Sequence, residues 1–156
     1  SLGNNTDGLE IGMVVAWTLS VNPSDNYLEC NGQVVDSTKY PKLYALMHNT
    51  PDYRGVFLRG LGSVTSNHYG TVTHTSSNLG ELQGDAIRNI TGTTPAAAEE
   101  SGGSFSGVFY SNGLGSGTGE WSHTDHRIGF NASRVVPVAV ENRPINKAVR
   151  YFIKAK

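Results

Sequence analysis

The sequence predicts a mainly β fold of the α+β kind with one short helix and long loops rich in Gly, Ser and Thr. Three observations carry that expectation. Period-two apolar alternation marks the final stretch, where Val149, Tyr151 and Ile153 alternate with Arg150, Phe152 and Lys154. One short segment has helical spacing and helix-entry chemistry. The rest is dominated by turn residues, among them 19 glycines. At 156 residues one domain is the default, yet only 37% of residues are hydrophobic and 16% charged. Ordinary globular chains carry about 45–50%, a figure that also counts glycine, and about 25%. Such a composition suits a packed module with long polar excursions.

The elements follow in order. Residues 1–10 are a polar lead-in, and the opening SLGNNTDG without methionine suggests the C-terminal piece of a longer protein. GMVVAWTL, Gly12–Leu19, reads as a strand. In YLECNGQVV, Tyr27–Val35, an Asn31-Gly32 pair between β-formers signals a hairpin, because both turn residues of that type need positive φ. DSTKYPKLYALM, Asp36–Met47, reads as the helix. Asp36, Ser37 or Thr38 caps it, Pro41 fits its first turn, and Leu43, Leu46 and Met47 share one apolar face. Asp52–Gly60 is a turn followed by a short extended run. Trp17 and Tyr27 belong to the core in this reading.

Residues 60–130 are different. Between Arg59 and Arg127 the only Lys or Arg is Arg88, and seven glycines fall between Ser101 and Gly119 with no collagen period. A structureless run this long argues against a compact monomer. Phe105, Val108, Phe109, Tyr110 and Trp121 supply more apolar surface than a linker needs. Loops and short strands ordered by packing against other copies of the chain account for both facts. Ser133–Val140 is then extended, with Pro137 restricting it to an edge or irregular position, and Glu141–Pro144 is a turn before the terminal strand.

Several function classes are excluded by composition. A net charge of −1 without a basic patch argues against nucleic-acid binding. No apolar run approaches the roughly 18 residues of a membrane span, so membrane insertion is not expected. The single Cys30 forms no intrachain disulfide and reads as a buried thiol. No nucleophile elbow, P-loop or paired CxxC occurs. Glu99 and Glu100 are adjacent, unlike the separated carboxylates of a glycosidase, so an enzyme is not expected. Arg54 and Arg59 flank GVFL and read as surface charge, or as partners of Asp52 or Glu141 between subunits.

The pieces GMVVAW, YLECNGQVVDSTKYPKLYALM and PDYRGVFLRGLG resemble the phage tail collar domain. FNASRVVPVAVENRPINKAVRYFIKAK is similar to the C-terminal segment of prophage and Mu-like tail fibre proteins. Together these cover about half the chain. The resemblance implies an intertwined homotrimeric knob at the distal tip of a tail fibre. Such a tip belongs to the virion, although it is made in the host cytoplasm. It adheres without catalysis to a bacterial receptor, the glycan of lipopolysaccharide first and an outer-membrane protein second. A fibre-assembly chaperone is a further implied partner. Two rivals remain: a structural fibre end that docks a chaperone or separate adhesin, and a polysaccharide depolymerase. The organisation expected is a lead-in over 1–10, a collar-like module over 11–62, variable receptor-binding loops over 63–130, and closing strands over 131–156.

Within the variable loops, Tyr69, Phe109, Tyr110 and Trp121 are the receptor-binding candidates. Rings stack on sugars while nearby Asn, Ser and Thr bond hydroxyls, the division of labour seen in antibody loops. Packing of the same rings inside a trimer is the competing account. SHTDHR places His123, Asp125 and His126 close together, ligands suited to a transition metal that three chains would triplicate on their axis. Fibre tips resembling this one use His-x-His pairs, whereas here the spacing is His-x-x-His. A plain polar loop is the preferred reading of that segment.

Overall fold

The computed structural model describes residues 8–93, 105–116 and 124–156. Its elements are β1 (Val14–Trp17), β2 (Tyr27–Glu29), α1 (Pro41–Leu46), β3 (Ser63–Asn67), β4 (Thr71–Thr75), β5 (Phe109–Ser116), β6 (Thr124–Phe130) and β7 (Arg150–Lys154). The chain is mainly β with one short helix, as its patterning requires. It divides into two compact units. One holds the described residues up to Gly84 together with Ile145–Lys156; the other is Asp85–Pro144.

The core of the first unit is built on β7. This strand is the centre of a three-stranded sheet ordered β1-β7-β2, antiparallel to both neighbours. Ile153 pairs with Val14 on one side and Leu28 on the other. Expectation and structure differ here. Alternation predicts one covered face, but Phe152, Ile153, Lys154 and Ala155 are all buried. A central strand has no free edge, and here both faces are covered. Ile153 and Ala155 join Cys30, Val35, Tyr40 and Leu43 in the core cluster. Phe152 instead meets the ring of Trp17 edge-on at 6.3 Å.

The Asn31-Gly32 turn signal is only half realised. Gly32 takes positive φ (79°), but Asn31 does not. β2 pairs with β7 rather than with the residues after the turn, while Asn31 and Val34 make single bridges to Asp52 and Asn49. The distant strand offers a longer ladder and a buried face, and this outweighs local closure.

The helix is shorter than its pattern. Asp36 Oδ1 accepts from the backbone N–H groups of Thr38 and Lys39, which makes a turn ahead of the helix rather than its cap. α1 then starts at Pro41, where the missing N–H costs nothing. Leu43 points into the core and is wholly buried; Met47 is half-buried. Leu46, expected on the same face, is exposed, because six residues turn only one position squarely inward.

An Arg150 clamp ties the chain's end to its beginning. Nε and Nη2 donate to the two Glu29 carboxylate oxygens at 2.9 Å each. Nη2 also donates to Asn22 Oδ1 at 2.7 Å, and Nη1 to the carbonyls of Ser20 (2.9 Å) and Leu19 (3.3 Å). Its carbon lies 4.8 Å from the Phe152 ring centre. The planar fork suits this set as an ammonium does not. Cys30 is buried, and its thiol is pushed up to about 11, first by burial and then by the Glu29 carboxylate beside it.

The second unit is organised by the antiparallel β5–β6 pair, with an irregularity between Ser111 and Leu114. Beyond it the sequence predicts extended chain from Ser133. Instead Ala132–Arg134 is a 3-10 turn, because Asn131 Oδ1 caps it by accepting from Ser133 N–H and hydroxyl. Asp85 Oδ2 accepts from both the backbone and side-chain nitrogens of Asn142.

Candidate functional site

The described candidate receptor residues, Tyr69, Phe109 and Tyr110, fall on two β-ribbons, one in each unit. In the first unit, β3 and β4 form a separate hairpin with five register pairs from Ser63↔Thr75 to Asn67↔Thr71. One face carries Ser63, Thr65, Asn67, Thr71, Thr73 and Thr75, all exposed. The other carries Val64, Ser66, Val72 and His74, of which the last three are half-buried. The Thr65 and Thr73 hydroxyls meet at 2.9 Å, and Ser66 Oγ lies 2.7 Å from His74 Nε2. At the tip, Tyr69 has φ 57°, the only left-handed non-glycine among the described residues, followed by Gly70 at φ 95°. Tyr69 is 87% exposed, and its ring meets the His68 imidazole edge-on at 4.6 Å.

In the second unit, Phe109 pairs across the ribbon with Phe130, ring centres 5.8 Å apart at 74°. Both are exposed, as is Ile128 two positions from Phe130 on the same face. Tyr110 belongs to the opposite face. It pairs with Gly129, and its ring covers that glycine so closely that an added Cβ would come within 2.6 Å of Cε1. A ring lying over a cross-strand glycine replaces the packing that glycine lacks. Arg134 stands 5.5 Å from the Tyr110 ring centre and donates from Nε to the Gly107 carbonyl. Tyr110 is therefore half-buried by its own ribbon, and Phe109 is the more available of the two.

The sequence candidates thus separate. Tyr69 lies on one ribbon, Phe109 and Tyr110 on opposite faces of another. Trp121 and His123 lie outside the described residues. Asp125 and His126 occupy successive positions of β6, opposite Gly115 and Leu114. Among the described residues no group of three or more His, Cys, Asp or Glu is arranged to hold a metal ion, and no helix is long and apolar enough to cross a membrane. Phe130, His68 and Arg134 were not singled out from sequence. The readable signal for Phe130 was its place two residues beyond Ile128, with Gly129 between, in the run that faces Phe109.

Arg54, Arg59 and Arg143 bond to partners within the chain. Arg54 grips Asp52 in a two-bond fork (2.8 and 2.7 Å), which holds the Asp52 carboxyl at about 2. Arg59 donates to Gln83, and Arg143 to Glu141. Chemically, the β3–β4 ribbon exposes a ring, hydroxyls and a carboxamide, and the β5–β6 ribbon exposes the rings of Phe109 and Phe130.

Residues 12–58 match the family model of the Phage Tail Collar Domain. The matched span contains β1, β2, α1 and the Asp52–Arg54 fork. The matched span is accordingly similar to a tail collar domain. The chain is also 28% identical over 161 residues to "Protein RhiB" of Rhizobium leguminosarum bv. viciae, covering 87% of this chain and 67% of that protein.

Proposed function

From the collar domain at residues 12–58, we propose that this protein is the distal end of a phage tail fibre, a homotrimer that attaches the virion to a bacterial surface receptor. The collar match is the observation that carries this reading. The receptor class favoured is a surface glycan, with the polysaccharide of lipopolysaccharide first and an outer-membrane protein as the alternative. Exposed Tyr69, Phe109 and Phe130 beside Ser, Thr and Asn side chains support a sugar-binding surface. The role is adhesion, without bond cleavage.

Trimer formation is supported by what one chain leaves uncovered. Val135, Val136, Val138 and Val140 are at least half-exposed within a few residues of each other, Val140 completely. Residues 79–90 add exposed Leu79, Leu82, Ile87 and Ile90. Monomers seldom leave so much large apolar surface in water. Three copies around an axis would cover it. The same valines support a second reading, in which the chain ends the fibre and docks an assembly chaperone or a separate adhesin.

Light scattering should give a mass near three chains, and the purified protein should adsorb to host cells. A stable monomer contradicts the assembly. Adsorption only with a co-expressed partner favours the docking reading, and new reducing ends in host polysaccharide favour a depolymerase. Trp121→Ala should keep the trimer and weaken adsorption. Failure of that variant to fold would place the ring in the interior instead.

A further inference from the structure

The geometry points to the tip of the β3–β4 hairpin as a reader of an uncharged sugar, with Tyr69 as its stacking ring. This rests on the glycan reading above and narrows it to one element and one ligand class.

Four observations converge. Tyr69 holds a left-handed backbone that L residues with a Cβ avoid, at a position where glycine would be unstrained. Strain kept at an exposed tip needs a use for the side chain. The ring is almost fully exposed yet rests edge-on against His68, so it is presented in a defined attitude. The shaft is a regular ladder stiffened by the Thr65–Thr73 and Ser66–His74 hydrogen bonds. Finally, the exposed face leading to the tip carries five hydroxyls and one carboxamide and nothing else.

The ligand class follows from charge and from donor–acceptor balance. No Asp, Glu, Lys or Arg occurs from Gly60 to Gly80. A phosphate or uronate would be met by Arg or Lys, which supply charge and an excess of donors. Hydroxyl and carboxamide groups both donate and accept. That matches sugar hydroxyls, which also do both, while the apolar C–H face of a pyranose suits an aromatic ring. A protein partner would ask for a larger apolar patch than one ring at a polar tip.

The test uses the full chain and saturation-transfer NMR. Its probes are neutral gluco-, manno- and galacto-configured trisaccharides, with uronate-containing counterparts and glucose 6-phosphate alongside. Transfer is expected to the ring protons of at least one neutral trisaccharide, and to neither the uronates nor the sugar phosphate. Tyr69→Gly should reduce it at least fivefold while its Tm equals or exceeds that of the parent, since the strain is relieved. Tyr69→Phe should retain it. Binding confined to the charged probes, no transfer to any neutral trisaccharide, or unchanged transfer in Tyr69→Gly overturns the assignment. Cell adsorption separates this from the broader reading: if Tyr69→Gly adsorbs like the parent, the tip is not the reader although the fibre role stands, whereas a parent that never adsorbs removes the receptor role itself.

Discussion

Replacing Ile153 by Ala tests whether β7 is the keystone of the first unit. Ile153 is 1% exposed, in the middle of a central strand, paired with Val14 and Leu28 and packed with Val35, Leu43 and Cys30. The substitution deletes three carbons. At about 0.8 kcal/mol per buried methylene the transfer loss is roughly 2.4 kcal/mol. A central strand flanked on both sides cannot collapse far into the gap, so a cavity term adds to this. The total should be about 3–4 kcal/mol, inside the roughly 2–5 found for such truncations. For a chain of this length that is a Tm drop of about 6–16 °C. Ile153→Val removes one carbon and should cost about 0.5–1.5 kcal/mol. Urea unfolding would be followed by Trp17 fluorescence in a Trp121→Phe background, because Trp17 packs on Phe152 and reports this unit. Protein concentration must be held constant, since association would shift apparent stability. A cost below about 1 kcal/mol for the Ala variant, or one equal to that of the Val variant, would refute the placement of β7.

Three further outcomes are expected. Arg150→Lys keeps the charge but loses the fork on Glu29 and the contacts to Leu19, Ser20 and Asn22; its midpoint in urea should fall clearly, and an unchanged midpoint would mean the clamp is ornamental. Gly129→Ala forces the Tyr110 ring aside and should cost about 1–3 kcal/mol, with Tyr110 ring resonances shifting by NMR; unshifted resonances would contradict the ring-over-glycine contact. Acid should weaken the fold. Glu29 and Asp52 carboxyls sit below their ordinary values through hydrogen bonds from Arg150 and Arg54, and Asp25 through Lys156. Depressed carboxylates bind fewer protons folded than unfolded, so their contribution is complete above about pH 5 and drains away towards pH 2. Urea midpoints should be flat from pH 5 to 8 and fall below 4; a midpoint rising on acidification would reverse the sign and sink the reasoning.

Local signals were legible where a local cause was sufficient. Pro41 marks the helix start because a ring without an N–H fits only there, and Gly32 takes its positive φ because no other residue does so cheaply. Extended structure in GMVVAWTL and in the final residues follows from period and β-branched content. The collar resemblance also rested on contiguous strings, and the family match covers them as far as residue 58. Of the candidate site, Tyr69 and Phe109 were found as exposed rings, since the polar, weakly charged segments around them offer little to bury a ring.

What the sequence by itself determined is therefore the inventory: a mostly β chain, one proline-led helix, a collar module and a polar, ring-bearing middle. Tertiary structure alone decided the partnerships. Both edges of β7 are paired because β1 and β2 close on it from more than 120 residues away, and no window along the chain contains that information. It also set Tyr69 in its left-handed turn, drew Tyr110 over Gly129, and left Leu46 in water on a helix too short to bury it. Periodicity records which residues prefer to leave water; which surface receives them depends on long-range closure, where the free energy is shared among groups that the sequence keeps apart.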